Sequence, residues 1–351
     1  MLTVPLFHFP FKPMNTEILP THTPALFDAA VKRATELLRA GEVVALPTET
    51  VYGLAANALD EKAVAKIFRI KDRPANNPII VHIASVEMAK RCVTAWPNPA
   101  GKLARAFWPG PLTLVLPCAK EIPGRVTAGG KTVGVRWPGH PFIQAVIREC
   151  GFPLAAPSAN LSGRVSPTNA EHVRKQLGDK ISLIVDGGQS QIGIESTVLD
   201  LTVSPPQVLR PGMIHAESLA AVVGEFRIQN SEFNSEHDGT LRSPGRLRRH
   251  YSPKARLLVL SWRDDADLNS QVSTLKSQLL DCHVIAHTHI PSAEHFARVS
   301  VIPHDAEAFA RAIYAELHRC DEAGAGLIVI ETPPESPEWS GIADRLRRAS
   351  A

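Results

Sequence analysis

The sequence predicts an α/β protein in two units. The first is a mixed-sheet unit of about 200 residues, and the second is smaller and built on a parallel sheet. Three observations carry this. Helical and strand periodicities alternate, irregularly, between residues 25 and 209. A polar stretch, 226–254, then interrupts the pattern and reads as a linker. Beyond it, apolar runs at 257–260, 284–286 and 327–330 are separated by helical segments, as in βα repeats.

Each element has its own signal. Residues 25–40 place Leu26, Phe27, Ala30, Val31, Ala34, Leu37 and Leu38 at helical spacing, and Gly41 is positioned to end the helix. Residues 42–46 read as a strand. Asp60 caps a helix whose one face carries Val64, Ile67 and Phe68. Strands are expected at 79–83, 112–116 and 132–136, a helix at 141–150, and a short buried strand at 154–156. Thr168 and Glu171 have the spacing of a capping box for a helix at 169–177. Strands at 181–185, 197–201 and 207–209 complete the first sheet. In the second unit the helical pattern covers 306–319, and GIADRLRRASA reads as a basic amphipathic helix. The expected division is an extension over 1–20, with Met14 as an alternative start, a first domain over 21–225, a linker over 226–254 and a second domain over 255–351.

Composition narrows the class. A net charge of +3 is too small to argue nucleic-acid binding by bulk electrostatics. The five cysteines form no CxxC pair and have no histidines at zinc spacing, which fits a reducing, cytoplasmic setting. No apolar run approaches membrane-spanning length. The start, MLTVPLFHFPFKP, lacks the basic segment of a signal peptide.

The chemistry-bearing residues fall in two clusters. Residues 47–82 gather Thr48, Thr50, Lys71, Arg73, Asn76, Asn77 and His82, and the second cluster reads PSANLSGRVSP over 157–167. Hydroxyls, amides and fixed cations with few carboxylates suit phosphates and a small polar substrate, rather than a carboxylate-held metal. Lys71 and Arg73, ahead of the helix-ending Pro74, can bracket a polyphosphate with a point charge and a fork of donors, or form a solvated helix end. Ser158 and Asn160 follow a buried strand, where α/β folds bind ligands or simply turn. Ser166 lies at a helix start, where free N–H groups suit an anion. Thr132 begins the strand TVGVR and Arg136 ends it, suited to pair with a substrate carboxylate or in a surface ion pair. His82, inside IIVHI, fits a satisfied core histidine. Arg242, Arg246, Arg248, Arg249 and His250 beside Tyr251 read by charge alone as a solvated tether. There is no P-loop, no G-x-S-x-G elbow and no HExxH.

Taken in order, PTETVYGL, KDRPANNPIIVH, WPGPLTLVL, TVGVRWPGHP, APSANLSGRVSPT, DGG, ESTVLDL and LRPG closely resemble the YrdC-like threonylcarbamoyl-AMP synthase family, continuously from about residue 24 to 214. SPGRLRRHYSP and the C-terminal tail resemble its long, two-domain form, although Arg246 stands where that family often has Met. The resemblance implies a YrdC-like mixed-sheet domain with a large cationic cavity, followed by a smaller Rossmann-like domain. It implies synthesis of L-threonylcarbamoyl-AMP from L-threonine, bicarbonate and ATP, with magnesium accompanying the nucleotide and pyrophosphate released. A separate transferase complex then passes the group to tRNA beside the anticodon. Carried over by motif, Thr50, His82, Arg136, Ala156 and Ser196 are expected on the threonine side. Arg73, Asn77, Thr132, Ser158, Asn160, Ser166, Arg210 and Tyr251 are expected on the nucleotide side, Tyr251 as part of a flap. Lys71 and Arg73 are the expected catalytic pair, and no protein-held metal is expected.

Two other readings compete. One is an RNA-binding module with a basic concave surface, including weak tRNA contact. At 6% aromatic content, without aromatics interleaved among the cations, it is the weaker. The other is a relative making carbamoyl-adenylate in hydrogenase maturation, which would add an acylphosphatase-like segment and Cys-rich zinc fingers that this chain lacks.

Overall fold

The computed structural model describes residues 15–228, 244, 250–273 and 281–351. The proposed start at Met14, the preceding extension and the linker residues Arg242, Arg246, Arg248 and Arg249 lie outside the described residues.

Two α/β units are present. The first holds strands β1 (Glu17–Pro20), β2 (Val44–Leu46), β3 (Gly53–Asn57), β4 (Val81–His82), β5 (Leu112–Pro117), β6 (Thr132–Arg136), β7 (Leu154–Ala155), β8 (Leu183–Asp186), β9 (Thr197–Asp200), β10 (Gln207–Arg210) and β11 (Arg227–Ile228). They form one sheet in the order β1-β8-β2-β3-β7-β4-β6-β5-β9-β10-β11. It is mixed, with β2, β7 and β6 each pairing antiparallel with a neighbour while β4 and β6 run parallel. Helices α1 (Pro24–Arg39), α2 (Glu61–Lys71), α3 (Val86–Arg91), α4 (Asn98–Phe107), α5 (Pro141–Cys150), α6 (Ala170–Leu177) and α7 (Ala216–Val223) connect the strands. Thr23 caps α1 ahead of Pro24, and Ala30, Ala34 and Leu38 bury its apolar stripe. Its Phe27 meets Phe142 of α5 edge-on at 5.2 Å.

Some elements depart from the sequence reading. Residues 17–20, assigned to the extension, form β1 and run parallel to β8. Strand β3 had no sequence signal, because GLAAN holds no β-branched or aromatic residue. Its place is set by antiparallel pairing with β2 and β7. The capping box at Thr168 is displaced by one residue: Asn169 caps α6 by accepting from the His172 N–H at 2.9 Å. The Thr168 hydroxyl lies 3.3 Å from the His172 ring instead. Lys71 is the last residue of α2 and is buried, so it is no solvated helix end.

The second unit holds β12 (Arg256–Leu260), β13 (Cys282–Ala286), β14 (Arg298–Val301) and β15 (Leu327–Glu331), all parallel in the order β12-β15-β13-β14. Helices α8 (Asp265–Ser273), α9 (Ala306–Glu322) and α10 (Ser340–Ala349) accompany them. At the C-terminal ends of β13 and β15, where such sheets bind ligands, Glu331 accepts the N–H groups of His287, Thr288 and His289 at 2.7, 2.8 and 3.1 Å. The chain's own carboxylate therefore fills that cluster of donors.

The units share a core. Val51, Val165, Ile194 and Tyr251 pack with Phe309, Ile313, Tyr314 and Ile342. Backbones meet closely there. A Cβ at Gly193 would lie 2.3 Å from the Ala310 carbonyl oxygen, and one at Gly341 would lie 3.0 Å from the Gly212 Cα. Among the described residues, no helix is long and apolar enough to cross a membrane.

Candidate active site

The site begins at the end of α2. Asp72 adopts the left-handed conformation (φ +53°), and the Arg73 N–H returns to the Phe68 carbonyl at 2.9 Å. This reversal leaves Lys71 buried and turns Arg73 across the following loop. Lys71 Nζ donates to the carbonyls of Ser158 and Asn160, tying α2 to the loop after β7. Arg73 spans Asn77, donating to its carbonyl at 3.0 Å and its amide oxygen at 2.9 Å, and reaches the Pro78 carbonyl at 2.6 Å. From β10, Arg210 donates to the Ser196 carbonyl and hydroxyl, both at 3.0 Å. Ser196 also meets the Thr113 hydroxyl at 2.8 Å.

A second polar group stands at the ends of β4 and β6. Arg136 pairs with Glu49 at 2.7 Å and donates to the Thr50 hydroxyl at 2.9 Å. Thr50 in turn meets Thr48 at 3.0 Å. Arg136 is only 4% exposed, so it is no surface ion pair, and it already holds an internal carboxylate. Burial alone would raise the Glu49 carboxyl, but Arg136 and the Gly139 N–H hold it below its ordinary value. Burial lowers Lys71 well below the ordinary lysine value, with Arg73 adding to the effect.

Both groups border one cavity of about 640 Å³, its open mouth included. Lys71, Arg73, Ser158, Asn160, Arg210 and Tyr251 line it, as do Thr50, His82, Arg136, Ala156 and Ser196. Three expected residues do not. Asn77 stands behind Arg73 as its acceptor. Ser166 stands behind Glu195, to which its hydroxyl donates at 2.6 Å. Thr132 lines an adjoining cavity of about 260 Å³ that shares Ile80 and Pro244 with the larger one.

The basic linker returns to this cavity. Pro244, His250 and Tyr251 line it. Tyr251 is 1% exposed, so at least this end is no solvated tether. Its backbone is left-handed (φ +62°), uncommon for a non-glycine residue. The neighbouring N–H groups of His250 and Ser252 bond Arg348 and Gly163, one in each unit.

Sequence reasoning missed Glu49, Glu195, Thr113 and the burial of His250. A carboxylate buried beside an arginine has the same letter as one in water, and no spacing rule separates them. The site is correspondingly less poor in carboxylates than its motifs indicate.

Burial lowers His82, His172 and His250 from the ordinary 6.5 to about 3, helped for His82 by Arg136 and for His172 by His318. The unfolded chain therefore binds more protons than the folded one between these values. This stabilisation is full above pH 6.5 and is lost as pH falls toward 3. At pH 5 each histidine is expected to cost on the order of 2 kcal/mol. Thermal melts at pH 7.5 and 5 test this, since an unchanged midpoint is incompatible with three buried neutral imidazoles.

A family model described as "Telomere recombination" (Sua5, YciO, YrdC) matches residues 36–212, and one for the threonylcarbamoyl-AMP synthase C-terminal domain matches 214–351. A threonylcarbamoyl-AMP synthase of Pyrococcus abyssi is 41% identical over 91% of this chain and 94% of its own length. One of Bacillus subtilis is 39% identical over 92% and 93%. The crystal structure of P. abyssi Sua5 complexed with L-threonine superposes with a TM-score of 0.87 at 39% identity, covering 95% of this chain and 98% of that one. With both units matched and the relatives aligned along nearly their whole length, the chain belongs to the Sua5/YrdC family of threonylcarbamoyl-AMP synthases.

Proposed function

We propose that this enzyme, a nucleotidyltransferase, joins L-threonine, bicarbonate and ATP into L-threonylcarbamoyl-AMP with release of pyrophosphate. The observation that carries the reading is one cavity bordered by two distinct polar groups: Lys71, Arg73 and Arg210 with Tyr251, and Arg136 with Thr50 and His82. The first group suits a triphosphate and the second a small amino acid, and the relative solved with L-threonine supports threonine as a substrate. Asn77, Thr132, Ser158, Asn160 and Ser166 are proposed to complete the nucleotide side, and Ala156 and Ser196 the threonine side.

The threonine amine and bicarbonate form a carbamate with loss of water. A carbamate oxygen then attacks the α-phosphorus, and the bond to pyrophosphate breaks. Catalysis of this step is mainly alignment and neutralisation of phosphate charge. Arg73 supplies charge at the leaving group, and Lys71, its pKa lowered by burial, adds its charge once bound phosphates favour the protonated amine. Neutral His82 adds no cation beside Arg136, so the guanidinium alone would answer the threonine carboxylate, sharing itself with Glu49.

Among the described residues, the site carboxylates Glu49 and Glu195 are both engaged by arginines, which argues against their holding a metal. Magnesium is proposed to arrive with ATP, held by phosphates and water. The product would pass in the cytoplasm to a transferase acting on tRNA, and five free cysteines suit that compartment.

The test is pyrophosphate release from magnesium-ATP with and without threonine and bicarbonate, with mass-spectrometric detection of the adenylate. Release that requires both co-substrates is expected. Release indifferent to threonine would overturn the reading, and tRNA binding without any interaction with ATP would favour the RNA-binding one.

A further inference from the structure

The chemistry above gives Glu195 no role, although this carboxylate lies on the wall of a cavity read as holding a triphosphate. Charged and unpaired, it would oppose that ligand. Its partner comes from the last helix of the chain. Arg345 of α10 brings Nε to 2.8 Å from one carboxylate oxygen. Its other nitrogens donate to the carbonyls of Glu195 and Pro211 at 3.1 and 2.7 Å. Tyr314 donates to the same carboxylate oxygen at 3.1 Å, and Ser166 to the other at 2.6 Å. The guanidinium is 1% exposed and lies 5.4 Å from the centre of the Tyr251 ring. It also pairs with Asp344 at 3.1 Å.

Stability alone is a poor reason for this arrangement. A buried ion pair contributes little net stabilisation compared with apolar residues of the same volume. What the pair does change is the field in the cavity, where Arg210 and Tyr251 stand beside Glu195. The other place in the second unit suited to a ligand, the crest of its sheet, is filled by Glu331. This unit reaches residues lining the cavity through Arg345 and Tyr314 at Glu195 and through the Arg348 carbonyl at His250, and Gly341 meets Gly212 nearby.

We infer that Arg345 is a positioning residue supplied by the second unit, cancelling the Glu195 charge on the nucleotide side of the cavity and backing Tyr251 there. Among the described residues, the first unit by itself sets only Arg210 and the Ser166 hydroxyl against that carboxylate. This rests on the nucleotide reading given above.

The test compares Arg345→Met with the double variant Glu195→Gln/Arg345→Met in the full chain, measuring KM for ATP and for threonine by pyrophosphate release. Arg345→Met is expected to raise the ATP KM about 10- to 100-fold, the scale of one charged hydrogen bond, while the threonine KM stays close to wild type. Removing the carboxylate as well is expected to return the ATP KM toward the wild-type value with Arg345 still absent. A tie that is merely structural would also be rescued by removing both charges, but it would move the ATP and threonine KM together in Arg345→Met rather than the ATP KM alone. An unchanged ATP KM in Arg345→Met, or a double variant as impaired as the single one, overturns the inference. If Arg345→Met does not fold, the double variant decides: a near-wild-type ATP KM supports the inference, and a raised KM or an unfolded protein overturns it. Wild-type protein without ATP-dependent release would remove the nucleotide reading and this inference together. Wild-type release with an unaffected Arg345→Met would remove only the inference.

Discussion

Arg136→Ala is expected to lose about 3–5 kcal/mol of stability and most threonine-dependent turnover at once. The stability loss follows from Glu49, whose carboxylate is buried and would be left without its cation. The loss of turnover follows from the role proposed for Arg136 as the guanidinium facing the threonine carboxylate. The two effects separate in the double variant Glu49→Gln/Arg136→Met. Removing both charges is expected to restore most of the stability, because neutral replacements of similar volume carry no desolvation cost. Threonine-dependent turnover is expected to stay low. Denaturant unfolding and the threonine KM together check this. A double variant that recovers a normal threonine KM would show Arg136 to be structural only.

Lys71→Ala and Arg73→Ala are each expected to reduce kcat/KM by about 1.5–3 kcal/mol or more, the scale of a hydrogen bond to a charged group. Arg73 bridges Asn77 and Pro78 with two nitrogens. Lysine at this position therefore should not restore activity, since a point charge cannot reproduce the fork. Lys71 holds two carbonyls of the loop after β7, so its loss also loosens Ser158 and Asn160. Steady-state pyrophosphate release on folded variants decides the matter, and normal turnover in either would refute the assigned roles.

Much of the fold was legible because it rests on local chemistry. The helix ended by Gly41, the Asp60 cap and the strand TVGVR each follow from a few neighbouring residues. The elements that escaped are those held by distant partners. β1 exists because β8 lies beside it, and GLAAN becomes a strand because β2 and β7 flank it. The Thr168 cap failed by one residue because His172 takes the threonine hydroxyl and leaves Asn169 to cap α6.

By itself, the sequence determined the α/β class, the order of the motifs, and a store of hydroxyls, amides and cations suited to a phosphate and a small polar substrate. Local spacing and side-chain chemistry are sufficient for these. Only the tertiary structure decided which of those groups share a cavity, and that Arg136 and Arg345 each meet a carboxylate. Glu195 and Arg345 are 150 residues apart in the chain. Their pairing depends on how the two units pack, and that packing excludes water and makes the charge balance of the cavity matter.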